Sequence, residues 1–208
     1  MNTNLCEPTV ELVKTACDKF DHENDVVEGA LSELFAMFPA NTDIRHVLLK
    51  VVTLNRLYST QIFAVMDVAI HIHSNASNID VALASGLPEI VDKIARVTIQ
   101  GKERSFFSFA TKYCSWHNPE SYPIYDSHVD KYLRKLQKRK PFASFFKRNA
   151  DIRVYPVFRK VMVAFRDFYD LGSFSFKDLD KFLWLYGGES SVQKTDQPAA
   201  GVDISLTP

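Results

Sequence analysis

Apolar side chains recur along most of this chain at the spacing of an α-helix and not at the alternating spacing of a β-strand. In the second predicted helix, for example, Val26, Ala30, Leu34 and Met37 fall on one face, which we expect to be buried. Alternation with a period of two is weak throughout, so no sheet is predicted. The pattern predicts helices at 8–20, 25–38, 44–58, 60–73, 79–84, 88–97, 105–117, 127–140, 151–169 and 176–186.

The segments between these helices indicate one domain. Residues 99–104 form a tight connection that contains Gly101, and residues 118–125 form a loop with two prolines. Because no linker rich in Pro, Gly or Ser interrupts the chain, we expect a single all-α, compact multi-helix domain over 1–186. The tail at 187–208 is polar and lacks apolar periodicity, so we expect it to be disordered.

Composition excludes several classes of protein. With 208 residues, 46% of them hydrophobic and 24% charged, the chain can bury one core. Its three cysteines are few and have no metal-ligand spacing, which fits a reducing compartment. His71 and His73 do not share a helix face, and the chain has no phosphate-cradling loop or four-cysteine cluster, so no metal site and no cofactor are expected. The longest apolar stretch, 61–72, is too short for a membrane span, and no signal peptide is evident. We therefore expect a cytoplasmic protein without a membrane partner.

The net charge of zero conceals a basic block. Residues 99–160 carry 14 basic and 5 acidic side chains, whereas residues 1–98 carry 7 basic and 13 acidic ones. A local excess of this kind favours a polyanion as partner. The alternative is a solvated helix face that meets an acidic face elsewhere in the fold.

The stretch 105–133 is the most informative part of the chain, because it places an aspartate between a proline-containing loop and a helix. Ser127 and Asp130 have the spacing of a capping box, which would leave Asp126 free to point elsewhere. A carboxylate beside a helix N-terminus is stabilised in its charged form, which suits a group that stabilises a cation or deprotonates water. The alternative is that Asp126 is itself the N-cap.

Several segments resemble the helix-hairpin-helix (HhH-GPD) DNA glycosylase superfamily, which includes the endonuclease III and 8-oxoguanine glycosylases. The segment Pro123-Ile-Tyr-Asp126-Ser-His-Val129 resembles the superfamily's catalytic aspartate segment, and Phe109-Ala-Thr-Lys-Tyr113 is similar to the F-A-V-K-M run of the archaeal 8-oxoguanine branch. Tyr58-Ser-Thr-Gln-Ile62 is similar to Q-Q-T-Q-V, at the junction where the family inserts a wedge into the duplex. The resemblance covers about residues 45–135 and implies a glycosylase-type helical fold with a DNA-binding cleft.

Two departures from the family pattern refine this expectation. Where the family hairpin reads G-x-G, this chain has Gly101-Lys102-Glu103, so Lys102 and Arg104 would contact phosphate through charge instead of backbone amides. Where the family has its Schiff-base lysine, the alignment places Ser105, which cannot form an imine. The resemblance therefore implies a monofunctional glycosylase, unless Lys102 or Lys112 replaces the missing lysine.

The resulting hypothesis is an enzyme that excises a damaged or modified base from double-stranded DNA, with Asp126 as its catalytic residue and no obligatory protein partner. The biological setting would be DNA repair or defence against phage DNA with hypermodified bases. Trp116, His117, Phe182 and Trp184 would line the base pocket, although the first two also fit a core tryptophan and a helix-terminal histidine. Tyr58 and Ser59 would fill the gap in the duplex. The residues expected to bind DNA are Lys102, Arg104, His128, Lys131, Arg134, Lys135, Lys138, Arg139, Lys140, Lys147 and Arg148.

Two other hypotheses remain open. The first is a catalytically silent nucleic-acid-binding domain on the same scaffold, which Ser105 and the altered hairpin favour. The second is an interaction protein whose basic block binds an acidic partner. The interaction protein predicts no salt-dependent binding to DNA, whereas several phosphate contacts would give a steep dependence of DNA affinity on salt concentration.

Overall fold

A computed structural model describes residues 5–147 and 151–189, which fold into nine α-helices and one β-hairpin. The prediction of an all-α protein is thus confirmed. The elements in chain order are α1 (Val10–Met37), α2 (Ile44–Leu57), α3 (Val65–Ser74), α4 (Ala76–Ala84), α5 (Glu89–Ala95), β1 (Arg96–Ile99), β2 (Lys102–Ser105), α6 (Phe107–His117), α7 (Ser127–Arg139), α8 (Tyr155–Phe168) and α9 (Phe176–Glu189).

Helix α1 replaces the two separate helices predicted at 8–20 and 25–38. The intervening residues are polar, but they contain neither proline nor glycine, so the helical hydrogen bonds continue through them. The predicted buried face was also wrong, because Val26 is 83% exposed and Met37 is 68% exposed. Leu31 and Phe35 are buried in their place, on the face that packs towards α6 and α9.

The start of α2 was predicted correctly. Asp43 is the N-cap, and its side chain accepts a hydrogen bond from the backbone N–H of Arg45. Val47, Val51 and Leu54 are buried as expected. Residues 76–78, which lie between the predicted helices at 60–73 and 79–84, are instead the start of α4.

The prediction of no sheet was wrong at residues 96–105, where β1 and β2 pair in antiparallel fashion. Gln100 and Gly101 have φ values of 51° and 74°, the left-handed conformations that a two-residue hairpin turn requires at both positions. The hairpin therefore replaces the predicted tight connection between helices. β1 alternates between polar and apolar residues over only four positions, and β2 is exposed throughout, so the strand pattern is too short to be distinguished from the adjoining helices.

Helix α9 packs against both α1 and α7, and this packing brings the two ends of the described chain together. At Gly187 the approach is so close that an added Cβ would lie 3.0 Å from the backbone carbonyl oxygen of His128. Helix α9 extends beyond the predicted end at 186, and residues from 190 onward lie outside those described. None of the described helices is long and apolar enough to cross a membrane.

Candidate functional site

A cavity of about 810 Å³ lies where α1, α6, α9 and the first turn of α7 meet. The predicted residues Asp126, Trp116, His117, Trp184, Tyr58, Ser59 and His128 all line it. Charged side chains that were not assigned to a site also line it, namely Glu28, Lys112, Lys177, Asp180 and Lys181. Within the described residues, no group of three or more His, Cys, Asp or Glu side chains is placed to hold a metal ion.

Asp126 is the N-cap of α7, so the predicted capping box at Ser127 and Asp130 was wrong. Its Oδ1 atom accepts hydrogen bonds from the backbone N–H groups of His128 (2.7 Å) and Val129 (2.9 Å). Ser127 is already inside the helix, and Asp130 instead pairs with Arg134. The second oxygen of Asp126, Oδ2, makes no hydrogen bond to the described residues and so is available to a molecule in the cavity.

Lys112 projects from α6 into the same cavity, although only 5% of the residue is exposed. Its Nζ atom donates to Ser108 Oγ at 2.8 Å and lies 5.3 Å from the ring centre of Tyr58. Burial lowers the pKa of Lys112, while the negative charges of Asp126 and Asp180 oppose that change. The sequence identified Lys112 only as a possible replacement for the lysine missing at Ser105.

Asp180 is a second carboxyl group in the cavity, contributed by α9. Burial raises its pKa, and the nearby charge of Asp126 raises it further. Asp126 and Asp180 are thus carboxyl groups in different environments, one bonded to a helix N-terminus and the other depleted of water, while Glu28 is paired with Lys177. Nothing in the local sequence distinguishes Asp180, because Asp126, Lys112 and Glu28, whose charges act on it, lie far away along the chain.

The ring of Trp116 is covered by neighbouring side chains. Phe35 stacks against it with ring centres 5.9 Å apart, and Lys177 Nζ lies 3.9 Å from the ring centre. Glu28 holds Lys177 in an ion pair of 2.6 Å. A base could stack on Trp116 only after Lys177 moved, so Trp116 contributes mainly to the cavity wall.

The two pocket residues predicted on α9 have different positions. Phe182 is fully buried, with its ring packed against Tyr132 and Tyr186, and it does not line the cavity. Its assignment to the base pocket was therefore wrong, because it lies on the face of α9 that packs against α7. Trp184 lies at the cavity with 47% of its surface exposed, and its ring contacts Phe20 edge to face.

The loop between α2 and α3 adjoins the cavity and is rigidly held. The Asn55 side chain bonds to Thr60 and to both the N–H and the carbonyl of Ile62. Tyr58 forms part of the cavity wall, and its hydroxyl accepts a hydrogen bond from Trp116 Nε1, which does not suit a residue that enters a duplex. Phe63, which the sequence did not single out, is 97% exposed on this loop.

The predicted DNA-binding residues divide into exposed and paired groups. Five are exposed and form no ion pair with the described residues: Lys102, Arg104, Lys131, Lys138 and Lys147. Arg139 and Lys140 instead contact Glu7, which agrees in part with the alternative of a basic face that meets acidic groups. Lys135 is half-buried on α7, and Arg148 lies outside the described residues.

His128 lines the cavity from the first turn of α7. Its Nδ1 atom is buried and has no hydrogen-bond partner among the described residues. Because Nδ1 is buried, it is poorly placed for the phosphate contact that the sequence predicted. A phosphate contact would have to use the second ring nitrogen, Nε2.

Comparison with known proteins identifies a family, and neither match names an activity. Residues 12–121 match the family HI_0787_N, described as an N-terminal domain. An "Uncharacterized protein" of Haemophilus influenzae is 44% identical over 135 residues, which are 65% of this chain and 63% of that protein. The chain thus spans less than two thirds of that relative's length. No solved structure matches the chain.

Proposed function

We propose that this chain, which belongs to the HI_0787_N family, is a DNA glycosylase that hydrolyses the N-glycosidic bond of a modified or damaged base. One observation carries the proposal: the Asp126 side chain lines a cavity with one oxygen bonded to the start of α7 and the other without a partner in the described structure. Asp126 is also the residue that resembles the catalytic aspartate of the HhH-GPD superfamily.

The dimensions of the cavity suit a nucleobase. Pockets for small ligands typically measure about 300–1,000 Å³, and this cavity of about 810 Å³ lies in that range. A base stacked in a duplex is inaccessible to an active-site carboxylate, so the nucleotide must rotate out of the helix first. The aromatic walls at Phe35 and Tyr58 offer apolar surface to such a base.

In the proposed reaction, Asp126 Oδ2 stabilises the positive charge that develops on the sugar as the C1′–N bond breaks. The bonding electron pair leaves with the base, and water then attacks C1′ and transfers a proton to Asp126. The hydrogen bonds to Oδ1 fix the carboxylate before the substrate arrives, so little reorganisation is needed. A positioned group of this type contributes roughly 100- to 10,000-fold to the rate.

Asp180 is the candidate proton donor for the departing base. Because burial and the charge of Asp126 raise its pKa, Asp180 holds its proton at higher pH than an ordinary aspartate. Two carboxyl groups whose environments separate their protonation states are the usual arrangement for glycoside hydrolysis. After the reaction, the proton taken up by Asp126 balances the one that Asp180 has given.

Binding to the duplex would use the exposed cations on β2 and α7 together with Lys147, which follows α7. Each phosphate contact displaces a bound counterion, so five such contacts would give a slope of about −4.5 in a plot of log affinity against log salt. We assign the wedge to Phe63 in place of Tyr58, because a fully exposed aromatic ring on a rigid loop can fill the space that an extruded base leaves.

The decisive experiment incubates the protein with duplexes that contain single modified bases, together with genomic DNA and base-modified phage DNA. Alkali-labile abasic sites formed by the natural protein and not by Asp126→Asn would support the proposal and identify the base. Salt-sensitive binding to every duplex without any product would favour the silent nucleic-acid-binding domain. Absence of salt-sensitive binding would favour an acidic protein partner.

Lys112 supports a second candidate function, in which base removal is followed by strand cleavage. A buried amine with a lowered pKa can attack the C1′ aldehyde of the abasic sugar, lose water and form an imine. Borohydride would then reduce the imine and link the protein covalently to DNA. A linkage abolished by Lys112→Met but retained in Lys102→Met would establish this function, and no linkage would leave the hydrolytic reaction.

A further inference from the structure

Lys50 is a fully buried lysine that the proposed reaction does not use. From α2, its Nζ atom reaches the carbonyl oxygens of Phe38 (3.1 Å) and Ala40 (3.2 Å), and the side-chain oxygen of Asn41 (2.8 Å). The fourth neighbour is Nε2 of His117, at 3.2 Å. His117 ends α6 and lines the cavity, so this network connects the core to the candidate active site.

The orientation of Asn41 is fixed by Asp80. The backbone N–H of Asn41 donates to one carboxylate oxygen at 3.0 Å, and its side-chain amide N–H donates to the other. The side-chain oxygen of Asn41 is therefore left as an acceptor, and it receives hydrogen bonds from Lys50 and from the Tyr113 hydroxyl. Asp80 is also the charge that favours the protonated form of Lys50.

This arrangement determines which nitrogen of His117 carries the proton. Burial lowers the pKa of Lys50 to about 8, so the amine is still protonated at neutral pH. An ammonium group has no lone pair and cannot accept a hydrogen bond, so the Nε2 atom that faces it must itself be the acceptor. Burial and the Lys50 charge lower the pKa of His117 to about 3, so the ring is neutral and its one proton is on Nδ1.

We infer that His117 presents a fixed hydrogen-bond donor, Nδ1–H, to the cavity and thereby selects a nucleobase that offers a lone pair at that point, either a carbonyl oxygen or an unprotonated ring nitrogen. The Nδ1 atom has no partner among the described residues. Phe35 and Tyr113 hold the ring, each with its ring centre 5.0 Å away. The nucleobase as occupant rests on the proposed function, whereas the donor rests only on the contacts of His117.

The donor can be tested without DNA. Long-range ¹H–¹⁵N NMR spectra of the full chain distinguish the two neutral forms of a histidine ring, and His117→Phe identifies the signal among the 6 histidines. We expect the Nδ1–H form, unchanged across pH 6–7.5. Finding the Nε2–H form would overturn the inference.

The selectivity is tested with duplexes that carry a non-hydrolysable 2′-fluoro nucleotide. Hypoxanthine is compared with its 7-deaza and 3-deaza analogues, each of which lacks one ring-nitrogen acceptor, and with purine, which lacks the carbonyl oxygen. We expect one of these changes to weaken binding by about tenfold in the natural protein. The effect should disappear in His117→Phe and persist in part in His117→Gln, which keeps a donor.

The outcomes separate the two proposals. Equal discrimination by the natural protein and His117→Phe would overturn the selective role of His117. If neither these duplexes nor those with the other modified bases of the excision assay bind above the level of an unmodified duplex while NMR finds Nδ1–H, the nucleobase is not the occupant. In that case the proposed function and the selectivity both fail, and only the donor assignment stands.

Discussion

Asp126 has two roles in the proposed enzyme, and substitutions can separate them. As the N-cap of α7, its Oδ1 atom satisfies the N–H groups of His128 and Val129, which have no acceptor within the helix. As the proposed catalytic residue, it supplies a negative charge. Asparagine keeps the cap and removes the charge, whereas alanine removes both.

The free energy of unfolding should therefore distinguish the two variants. Asparagine caps a helix about as well as aspartate, and replacement of either by alanine costs roughly 0.5–2 kcal/mol. Both Asp126→Asn and Asp126→Ala lose the attraction to Lys112, so their difference reports the cap alone. We expect Asp126→Ala to be less stable than Asp126→Asn by about 1 kcal/mol, which lowers Tm by roughly 2–4 °C in a protein of this size.

Urea unfolding followed by circular dichroism measures this difference. The N-cap of α2 provides a matched control, because Asp43 accepts a hydrogen bond from Arg45 N–H and does not line the cavity. Asp43→Ala and Asp43→Asn should differ by a similar amount and both should retain base excision. Both Asp126 variants should lack it. Equal stability of the two Asp126 variants would refute the capping role, and excision by Asp126→Asn would refute the catalytic one.

Three further predictions concern surface, backbone and core positions. Phe63→Ala should leave the free energy of unfolding unchanged, since the ring is 97% exposed, but it should reduce base extrusion measured by 2-aminopurine fluorescence. The control is Val81→Ala, at a residue that is 67% exposed, which should change neither stability nor base extrusion. Gly29→Ala should stabilise the protein by about 0.5–1 kcal/mol, because the added Cβ meets nothing within 4 Å. Gly187→Ala should be destabilising, because the added Cβ would press on the His128 backbone. A higher Tm of Gly187→Ala in thermal unfolding would contradict this packing. Because the pKa of Lys50 is lowered to about 8, the folded state releases this proton at lower pH than the unfolded state. The free energy of unfolding of the natural protein, measured relative to that of Lys50→Met, should therefore rise between about pH 8 and 10. A difference that does not change with pH would contradict the buried charge.

From the sequence, the positions of the helices could be predicted better than the faces that they bury. In α2 the cap at Asp43 and the buried positions agree with the structure, because a local cap and a regular apolar period act together there. In α1 the apolar residues between positions 26 and 37 lie on more than one face of the helix, so the choice between Val26 and Leu31 depended on which neighbours the helix meets. Those neighbours, α6 and α9, follow much later in the chain, so no local pattern identifies them.

The candidate site shows the same division between local and distant information. Asp126 could be found because its proline-containing loop and following helix are contiguous in the sequence. The Lys50–His117 contact joins residues 67 positions apart, and no local pattern relates a core lysine to a helix-terminal histidine. Similarly, Asp180 becomes distinctive only because α9 folds back on α1 and α7 and removes water from around it.

The limits of the family match bear on where an activity can reside. The matched residues end at 121, before Asp126, α7 and α9. They contain Lys50, Lys112 and His117. The matched part therefore provides one wall of the cavity, including the inferred hydrogen-bond donor His117 and the buried amine of Lys112. Both cavity carboxyl groups considered for the reaction come from the part that follows. A relative that shares only the matched part would therefore retain this wall of the cavity. Whether it could catalyse the proposed reaction would depend on whether the part of its chain after the matched residues places a carboxylate at the start of a helix that faces this wall.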